Sequence, residues 1–468
     1  MSQTRAAPSS GGVRSSGSRQ RPNYAARRML VSTISVALVI AAGVLIWRLT
    51  RDGSAVATPE MGRWDEVVFV DRANGAVTTV SPDGHQRGTV AATARTTEVD
   101  ADGARLALIQ AGQIVLTDVD DDAPDIVTIE PNSVVRRLPI ADSLWLAVSK
   151  STGGNLLLVD GLTGKTYDFA ALSQQASPRF FVETLRFDPA GTRFAIADAT
   201  TFQTVVVDTT ADPPVVTMFA AQPLALDAEH VVTSQVVGQQ ADLTLNDYER
   251  SKLATVTDGL PAGGTLDGDD VVVAAIDGGV SRFGEGDESA EHVGDIAVPA
   301  GASIKSIHPS ASSTRLVVVG GVFEAVVDLG GDTLFTTTFT APVEDARVEP
   351  DWKCLPVGGG AAYHSIVELE SGEQLADLTG LTVTGVSADG CTVVGTRAGA
   401  TEVVGDGGSL PVGRVRSAAL APDGKAVVVQ TTTGATQLLP IDDEWTLGTA
   451  VDLTTAAPAN SLVTFRTN

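Results

Sequence analysis

FDPAGTRFAIA, at residues 187–197, contains the pattern that decides the fold: a small or acidic residue, a tight turn with Gly, and then a short apolar strand. Comparable units recur at intervals of about 40 residues, and a period of this length predicts an array of repeated supersecondary units. The other eight units read VDADGARLALI at 99–109, IADSLWLAV at 140–148, LDAEHVVTS at 226–234, LDGDDVVVAA at 266–275, IHPSASSTRLVVV at 307–319, VEPDWKCLPV at 348–357, VSADGCTVVG at 386–395 and LAPDGKAVVV at 420–429.

A second element follows many of these units. It is a strand that ends in Val-Asp or Val-Glu, a turn with Gly, and a further strand, as in VDRANGAVTTV at 70–80, LLLVDGLTGKTYDF at 156–169, VVDLGGDTLF at 326–335 and IVELESGEQL at 366–375. Short turns with Gly join antiparallel strands. Each unit therefore predicts three strands with room for a fourth.

A unit of about 40 residues with four short antiparallel strands is typical of a propeller blade. With PDG at 82–84 and 422–424 and DPAG at 188–191, nearly all of 64–468 resembles the WD40-like and TolB-like repeats of bacterial envelope proteins. The Ala, Val, Asp and Gly bias, with few Lys, resembles that of proteins from high-GC bacteria such as actinomycetes, so the repeat resembles an actinobacterial type. The resemblance implies an all-β propeller, for which we expect eight blades, with seven as the second choice. Two stacked β-sandwich domains are the alternative architecture.

Residues 29–47, MLVSTISVALVIAAGVLIW, carry no charge and are just long enough to span a bilayer. Six Arg precede this run and two follow it closely, which favours a cytoplasmic N-terminus. We therefore predict a single-pass plasma-membrane protein with a basic disordered tail at 1–28, a transmembrane helix at 29–48, a tether at 49–63 and an extracytoplasmic propeller at 64–468. A signal peptide cleaved after Ala57 is the alternative.

The charge is divided unevenly along the chain. Residues 1–51 contain eight Arg and no acid, whereas the rest holds 24 basic residues against all 57 acids. Nucleic-acid binding needs clustered Lys and Arg. The composition therefore argues against a nucleic-acid partner for the large domain.

The two cysteines, Cys354 and Cys391, lie in neighbouring units. Cys354 follows Asp351 by three residues and Cys391 follows Asp389 by two, so their side chains point to opposite faces of equivalent strands. Because adjacent blades pack opposite faces together, this parity predicts a disulfide bond, which persists outside the cytoplasm. Two buried free thiols are the alternative.

No motif predicts catalysis, a cofactor or a metal site. The five His are dispersed, and no G-x-S-x-G nucleophile elbow occurs. The acidic run at 118–125 lacks both the Gly and the final Glu of a calcium-binding EF-hand loop.

We therefore expect a non-catalytic binding or scaffold module for an envelope protein or a cell-wall component. A hydrolase acting on glycan or peptide, and a ligand sensor, are the alternatives. Candidate loops are 118–125, 284–292 and 171–182. In the last, Arg179, Phe180 and Phe181 are the candidate interface residues, unless the two Phe begin a buried strand.

Overall fold

The computed structural model describes residues 64–90, 95–102, 105–118, 124–138, 140, 144–150, 156–174, 179–198, 201–340, 342, 348–349, 352–359, 363–454, 457 and 461–466. The predicted tail, transmembrane helix and tether at 1–63 lie outside these residues, as does most of the acidic run. Across the described ranges, no helix combines the length and apolarity needed to cross a bilayer.

Ten antiparallel sheets, here called blades 1 to 10, make up the described fold. The strands of blades 1 to 5 are, in blade 1, β1 (Glu66–Asp71), β2 (Val77–Val80), β3 (Gln86–Val90) and β39 (Ser461–Arg466); in blade 2, β4 (Thr96–Asp102), β5 (Arg105–Gln110), β6 (Gln113–Thr117) and β7 (Asp125–Thr128); in blade 3, β8 (Ser133–Leu138), β9 (Trp145–Lys150), β10 (Leu156–Asp160) and β11 (Thr166–Asp168); in blade 4, β12 (Phe180–Phe187), β13 (Arg193–Asp198), β14 (Thr204–Asp208) and β15 (Val215–Phe219); and in blade 5, β16 (Gln222–Leu226), β17 (His230–Val237), β18 (Gln240–Asp247) and β19 (Lys252–Asp258).

The strands of blades 6 to 10 are, in blade 6, β20 (Pro261–Asp267), β21 (Asp270–Ala275), β22 (Gly279–Phe283) and β23 (Glu291–Asp295); in blade 7, β24 (Ile304–Pro309), β25 (Arg315–Gly320), β26 (Phe323–Asp328) and β27 (Thr333–Thr338); in blade 8, β28 (Cys354–Val357), β29 (Ser365–Glu368) and β30 (Gln374–Asp377); in blade 9, β31 (Thr382–Val386), β32 (Val393–Arg397), β33 (Ala400–Gly405) and β34 (Gly408–Gly413); and in blade 10, β35 (Val415–Leu420), β36 (Ala426–Thr431), β37 (Thr436–Pro440) and β38 (Val451–Asp452). One short helix, α1 (Phe169–Ser173), connects blades 3 and 4 and is capped by the Asp168 side chain.

The blades form a closed ring. A separate cluster of buried apolar side chains joins each pair of neighbouring blades, and one of these clusters joins blade 10 to blade 1. First strands of successive blades contact one another, as β12, β16, β20 and β24 do, so they lie nearest the axis. The all-β, WD40-like propeller predicted from the repeat is confirmed.

The prediction of eight blades, or seven, is wrong, because the residues that the structure describes form ten. Each of the nine repeat units supplies the turn before the second strand of its own blade. The strands at 66–90 do not merge with any of these blades. They pair with β39 and form a tenth, which is blade 1.

Side chains in the turns explain why a small or acidic residue opens the turn of the repeat unit. Asp188 accepts hydrogen bonds from the backbone amides of Thr192 and Arg193, both at 2.7 Å. In blade 9 the hydroxyl oxygen of Ser387 accepts from the Thr392 amide at 2.9 Å. Such Asp and Ser side chains replace missing backbone partners in a turn.

Ring closure combines a strand pair with a buried ion pair. Each residue of β39 pairs with one of β1, from Ser461 opposite Asp71 to Arg466 opposite Glu66. The Arg466 and Glu66 side chains are each 2% exposed, and the nearest guanidinium and carboxylate atoms are 2.8 Å apart. Arg466 also contacts Asp118 of blade 2 at 3.1 Å, so one side chain links the closing strand to the next blade.

Replacing Arg466 by Met should lower the free energy of unfolding by about 3–5 kcal/mol, because a buried carboxylate loses its cation. Thermal unfolding of full-length protein measures the effect. Arg416→Met, the same change at an exposed position of β35, should leave the midpoint nearly unchanged. Equal midpoints for the two variants would show that closure does not depend on this pair.

Candidate functional site

The antiparallel order of the blades assigns every turn to one of two faces. Strands are counted outward from the axis, so β39 is the first strand of blade 1, and β28, which follows the turn of its repeat unit, is counted as the second strand of blade 8. Turns between first and second strands, and between third and fourth strands, lie on face 1. Turns between second and third strands, and the connections between blades, lie on face 2. Backbone hydrogen bonds agree with this assignment, since the turn at Ile276 contacts the connection at Leu260, and both belong to face 2.

Face 1 carries most of the acidic side chains of the described domain. Many of them stabilise its turns, as when Asp227 accepts from the His230 amide at 2.6 Å and Asp287 from the Gly284 amide at 2.7 Å. Several basic residues on this face form ion pairs, among them Arg193 with Asp208 at 2.8 Å. Face 1 is therefore acidic and largely occupied by its own turn structure.

Face 2 exposes large apolar side chains in three consecutive blades. Phe202 of blade 4 is 56% exposed, Val236 and Val237 of blade 5 are 62% and 54% exposed, and Ile276 of blade 6 is 42% exposed. All four belong to turns, or strand ends, between second and third strands. We call these four residues the apolar patch.

Local structure holds Phe202 outward. Its backbone has a φ of +56°, and its amide donates to the carbonyl of Asp198 at 2.8 Å. Asp198 is 1% exposed and accepts from the Thr201 hydroxyl at 2.8 Å and from the Arg179 amide at 3.0 Å. One buried carboxylate thus fixes both the Phe202 turn and the residue that precedes β12.

The central hairpin of the patch projects beyond its neighbours. β17 and β18 contain eight residues each and pair as far as Val237 opposite Gln240, whereas the hairpin of blade 4 ends its pairing at Ala197 opposite Thr204. Side chains alternate along a strand. Val237 therefore points to the side of Val231, which packs against blade 4, and Val236 to the side of Val232, which packs against blade 6.

The predicted interface residues lie in different environments in the structure. Arg179 is exposed on face 2 beside the Phe202 turn. Phe180 is only 8% exposed and packs edge-to-face on Phe169, with ring centroids 4.4 Å apart, so it belongs to the core between blades 3 and 4. The side chain of Phe181 lies outside the described part. The exposed aromatic residue near Arg179 is instead Phe202, which sequence reasoning missed although it lies in a polar turn between two apolar runs.

Cys354 and Cys391 are joined across blades 8 and 9, with Cα atoms 4.8 Å apart, within the range of disulfides. Cys354 begins β28, and Cys391 ends the turn before β32 on face 1. The amide of Cys354 also donates to the carbonyl of Asp389 at 3.1 Å. The bond therefore reinforces a contact that the backbone already makes.

In the described parts of the other two candidate loops, 118–125 and 284–292, carboxylates complete a turn or pair with arginine. Among the described residues, no three His, Cys, Asp or Glu side chains are grouped as metal ligands. At the two ends of the acidic run, Asp118 contacts Arg466 and Asp125 contacts Arg105. His308 on β24 is partly buried, and desolvation together with the charge of Arg186 lowers its pKa to about 4.

Comparisons with known proteins add similarity of fold only. No protein-family profile matches the chain, and no curated protein does. A eukaryotic initiation factor structure aligns with 86% of this chain and 99% of its own length, at 11% identity and a TM-score of 0.45. The C-terminal WD40 domain of Sif2 aligns with 66% of this chain and 99% of its own, at 11% identity and a TM-score of 0.37. Apo AztD from Citrobacter koseri aligns with 86% and 98%, at 11% identity and a TM-score of 0.34.

Glu324, on the third strand of blade 7, is a buried acid that sequence reasoning also missed. It is 2% exposed, and its carboxylate accepts from the Gly358 amide of blade 8 at 2.7 Å. Burial raises its pKa from 4.5 to about 7, against the opposing effect of that hydrogen bond. The folded protein thus keeps the carboxyl protonated at pH values where the unfolded chain has ionised it.

Glu324→Gln should remove a pH dependence of stability. In the native protein Glu324 contributes most to the free energy of unfolding below pH 4.5. This contribution declines until about pH 7, since the unfolded chain releases the proton of this carboxyl group at a lower pH than the folded protein does. Between these two pH values, the free energy of unfolding of the variant should rise by up to ~3 kcal/mol relative to that of the native protein. Thermal midpoints measured from below pH 4.5 to above pH 7 test this. Exposed Glu249→Gln is the control, and a pH-independent difference would contradict the prediction.

Proposed function

We propose that this protein is a membrane-anchored, extracytoplasmic propeller that binds a protein partner of the cell envelope through the apolar patch. The observation that carries the proposal is the grouping of Phe202, Val236, Val237 and Ile276 on one face of three neighbouring blades. Exposed apolar residues that are grouped in this way mark interaction sites more often than scattered ones do. Turns on a rigid scaffold are also where binding residues gather.

The patch contributes little to the fold that displays it. The side chains of Phe202 and Ile276 are about half exposed, and the last pairs of the β17–β18 hairpin extend beyond the packed blades. Exposure of these side chains to water is unfavourable. A partner that covers them therefore stabilises the complex by roughly 25 cal/mol for each Å² of apolar surface removed from water. A docking role therefore accounts for apolar side chains that the fold leaves exposed.

Anchoring and location are proposed from two independent features. The uncharged run at 29–47 with its flanking Arg supports a plasma-membrane anchor with a cytoplasmic N-terminus. The cysteine pair supports an oxidising compartment for the propeller.

The pKa of His308 and the burial of Glu324 favour a non-catalytic role over a hydrolase. With a pKa of about 4, His308 is neutral near pH 7 and far from the value that suits proton transfer there. Glu324 has a suitable pKa of about 7, but its side chain is closed off from solvent and substrate.

Protease treatment and thiol alkylation of spheroplasts should test the location. We expect external protease to degrade the propeller of full-length protein in spheroplasts, and alkylation before reduction to leave Cys354 and Cys391 unmodified. Both results follow from an oxidising, extracytoplasmic position. A protected propeller, or two thiols that alkylate directly, would contradict it.

Photocrosslinking in cells should test the docking face. A photoreactive residue in place of Gln239, at the exposed hairpin tip, should give a discrete crosslinked product. Phe202→Ser or Ile276→Ser should reduce that product about tenfold or more, as loss of an anchor residue does. Thermal stability should hardly change, because both side chains are exposed.

The matched control lies on face 1. Leu162 is 46% exposed in a turn of blade 3, and Leu162→Ser should leave the Gln239 crosslink unchanged. Crosslinking from Gln239 that survives every patch substitution would show that this face is not the docking site.

A further inference from the structure

We infer that the partner segment recognised by the apolar patch is basic as well as apolar, with Lys or Arg side chains that reach Asp242, Asp258 and Asp277. This inference rests on the proposed function, since it defines the chemistry of the same surface. The observation that carries it is the position of these three carboxylates among the patch residues on face 2.

The β17–β18 hairpin places a carboxylate beside Val237. Residues that lie opposite each other on neighbouring strands share one face of the sheet, and so do alternate residues along a strand. Asp242 lies opposite Gln235, and Val237 is the next residue but one along β17. Asp242 and Val237 are therefore on the same face of the hairpin, the one turned toward blade 4.

The other face of the hairpin combines Val236 with Asp258. Val236 lies opposite Ala241, and Ala241 lies opposite Asp258 on β19, so the three residues form one row across the blade. This row faces blade 6, because Ala241 packs in the cluster between blades 5 and 6. The amide of Ile276 in blade 6 donates to the carbonyl of Leu260 at 2.8 Å, only two residues after Asp258. The turn that carries Ile276 therefore lies beside the end of this row.

Two carboxylates converge in blade 6, next to Ile276. Asp277 follows Ile276 directly, and Asp295 of β23 lies opposite Gly279 of β22. A Cβ atom at Gly279 would lie 3.7 Å from Oδ1 of Asp277 and 4.0 Å from Oδ1 of Asp295. The ring of His292 contacts Asp295 at 3.5 Å. Like charges this close repel each other, so a cation brought between the two carboxylates is favoured.

Within the described part of the chain, Asp242, Asp258 and Asp277 have no ion pair with Lys or Arg. Each accepts a hydrogen bond from a hydroxyl or amide of its own blade, at 2.8, 2.7 and 3.3 Å respectively. Asp208 on face 1 is different, since the guanidinium group of Arg193 contacts it at 2.8 Å. The patch therefore retains negative charge that a partner can neutralise.

The exposed cations of this part of face 2 lie outside the patch. Arg179 precedes β12 of blade 4, and Lys305 belongs to β24 of blade 7. In the described turns and connections of face 2 from Phe202 to Asp277, every charged residue is acidic. With Asp295, the carboxylates around the patch outnumber these two cations.

Charge complementarity selects among occupants of this surface. A basic, apolar polypeptide covers the patch and neutralises its carboxylates together. A purely cationic polymer would neutralise the carboxylates but leave Phe202 and Val236 in water. An acidic segment, an anionic lipid surface or a second copy of this acidic domain would bring like charge to the patch, which is unfavourable.

Labelled peptides and full-length protein in neutral detergent test the inference by fluorescence anisotropy, with protein-free micelles as the baseline. The probe peptide alternates Leu or Trp with Lys or Arg. One comparison peptide has Glu in place of the basic residues, and a second has Ser in place of the apolar residues. We expect only the basic, apolar probe to bind, with an affinity that falls as the salt concentration rises, because exposed charges are screened.

The double variant Asp242→Lys with Asp277→Lys should weaken binding of the basic probe by about tenfold or more and should now bind the Glu peptide. The matched control is Glu229→Lys with Glu249→Lys, because both residues are exposed on face 1 of blade 5. It changes the net charge of the domain by the same amount. It should leave both affinities unchanged.

Two further variants separate charge, apolar contact and folding. Asp242→Asn with Asp277→Asn keeps the side-chain oxygens that accept hydrogen bonds and removes both charges. It should weaken binding of the basic probe without creating affinity for the Glu peptide, and its thermal midpoint should equal that of the native protein. Ile276→Ser should also weaken binding of the probe, but the remaining binding should keep its dependence on salt.

The remaining outcomes separate this inference from the proposed function. If patch substitutions abolish the Gln239 crosslink while charge reversal changes neither the crosslink nor peptide binding, the docking face stands and the basic partner is wrong. Equal loss of binding in the face 1 control would show that only the net charge of the domain acts, and this would overturn the inference. Equal binding of the Ser-containing basic peptide would identify a simple polycation site and also overturn it. Self-association that depends on Phe202 would do the same, because the occupant would be a second copy of this chain.

Discussion

Pairing of β39 with β1 is the constraint on which the rest of the structure depends. Each blade buries its apolar faces only against its neighbours, so an open array would leave two terminal blades with an exposed face and an unpaired edge. The C-terminal strand removes both defects by completing blade 1, which then packs against blade 10. Arg466 extends this closure to blade 2 through its contacts with Glu66 and Asp118.

Closure also separates the two faces chemically. Because every blade has the same orientation in the ring, one kind of turn always emerges on the same side. The turns of face 1 use Asp and Ser side chains to complete their backbone hydrogen bonds, as Asp188 and Ser387 do, and this collects negative charge on that face. Face 2 has fewer such turns, and it presents the apolar patch.

The proposed docking site follows from this division. Residues that close turns or fill the spaces between blades are required by the fold, whereas Phe202 and the β17–β18 hairpin tip are not. Features that depart from what folding requires are most often related to function. The buried carboxyl of Glu324 is another departure, and its amide partner Gly358 belongs to face 2 of the adjacent blade.

Local physics allowed the sequence alone to determine the all-β class and the repeat of about 40 residues, since strand patterning and turn chemistry act over a few residues. The parity that suggested pairing Cys354 with Cys391 could be read in the same way, and the structure joins the two sulfur atoms. Only the tertiary structure decided that there are ten blades, because the number depends on whether 66–90 and 461–466 form a blade of their own. It also decided that Phe180 is buried and Phe202 exposed. Both are aromatic residues beside polar turns, and their difference arises from which blade packs against each, a contact between residues distant in the chain.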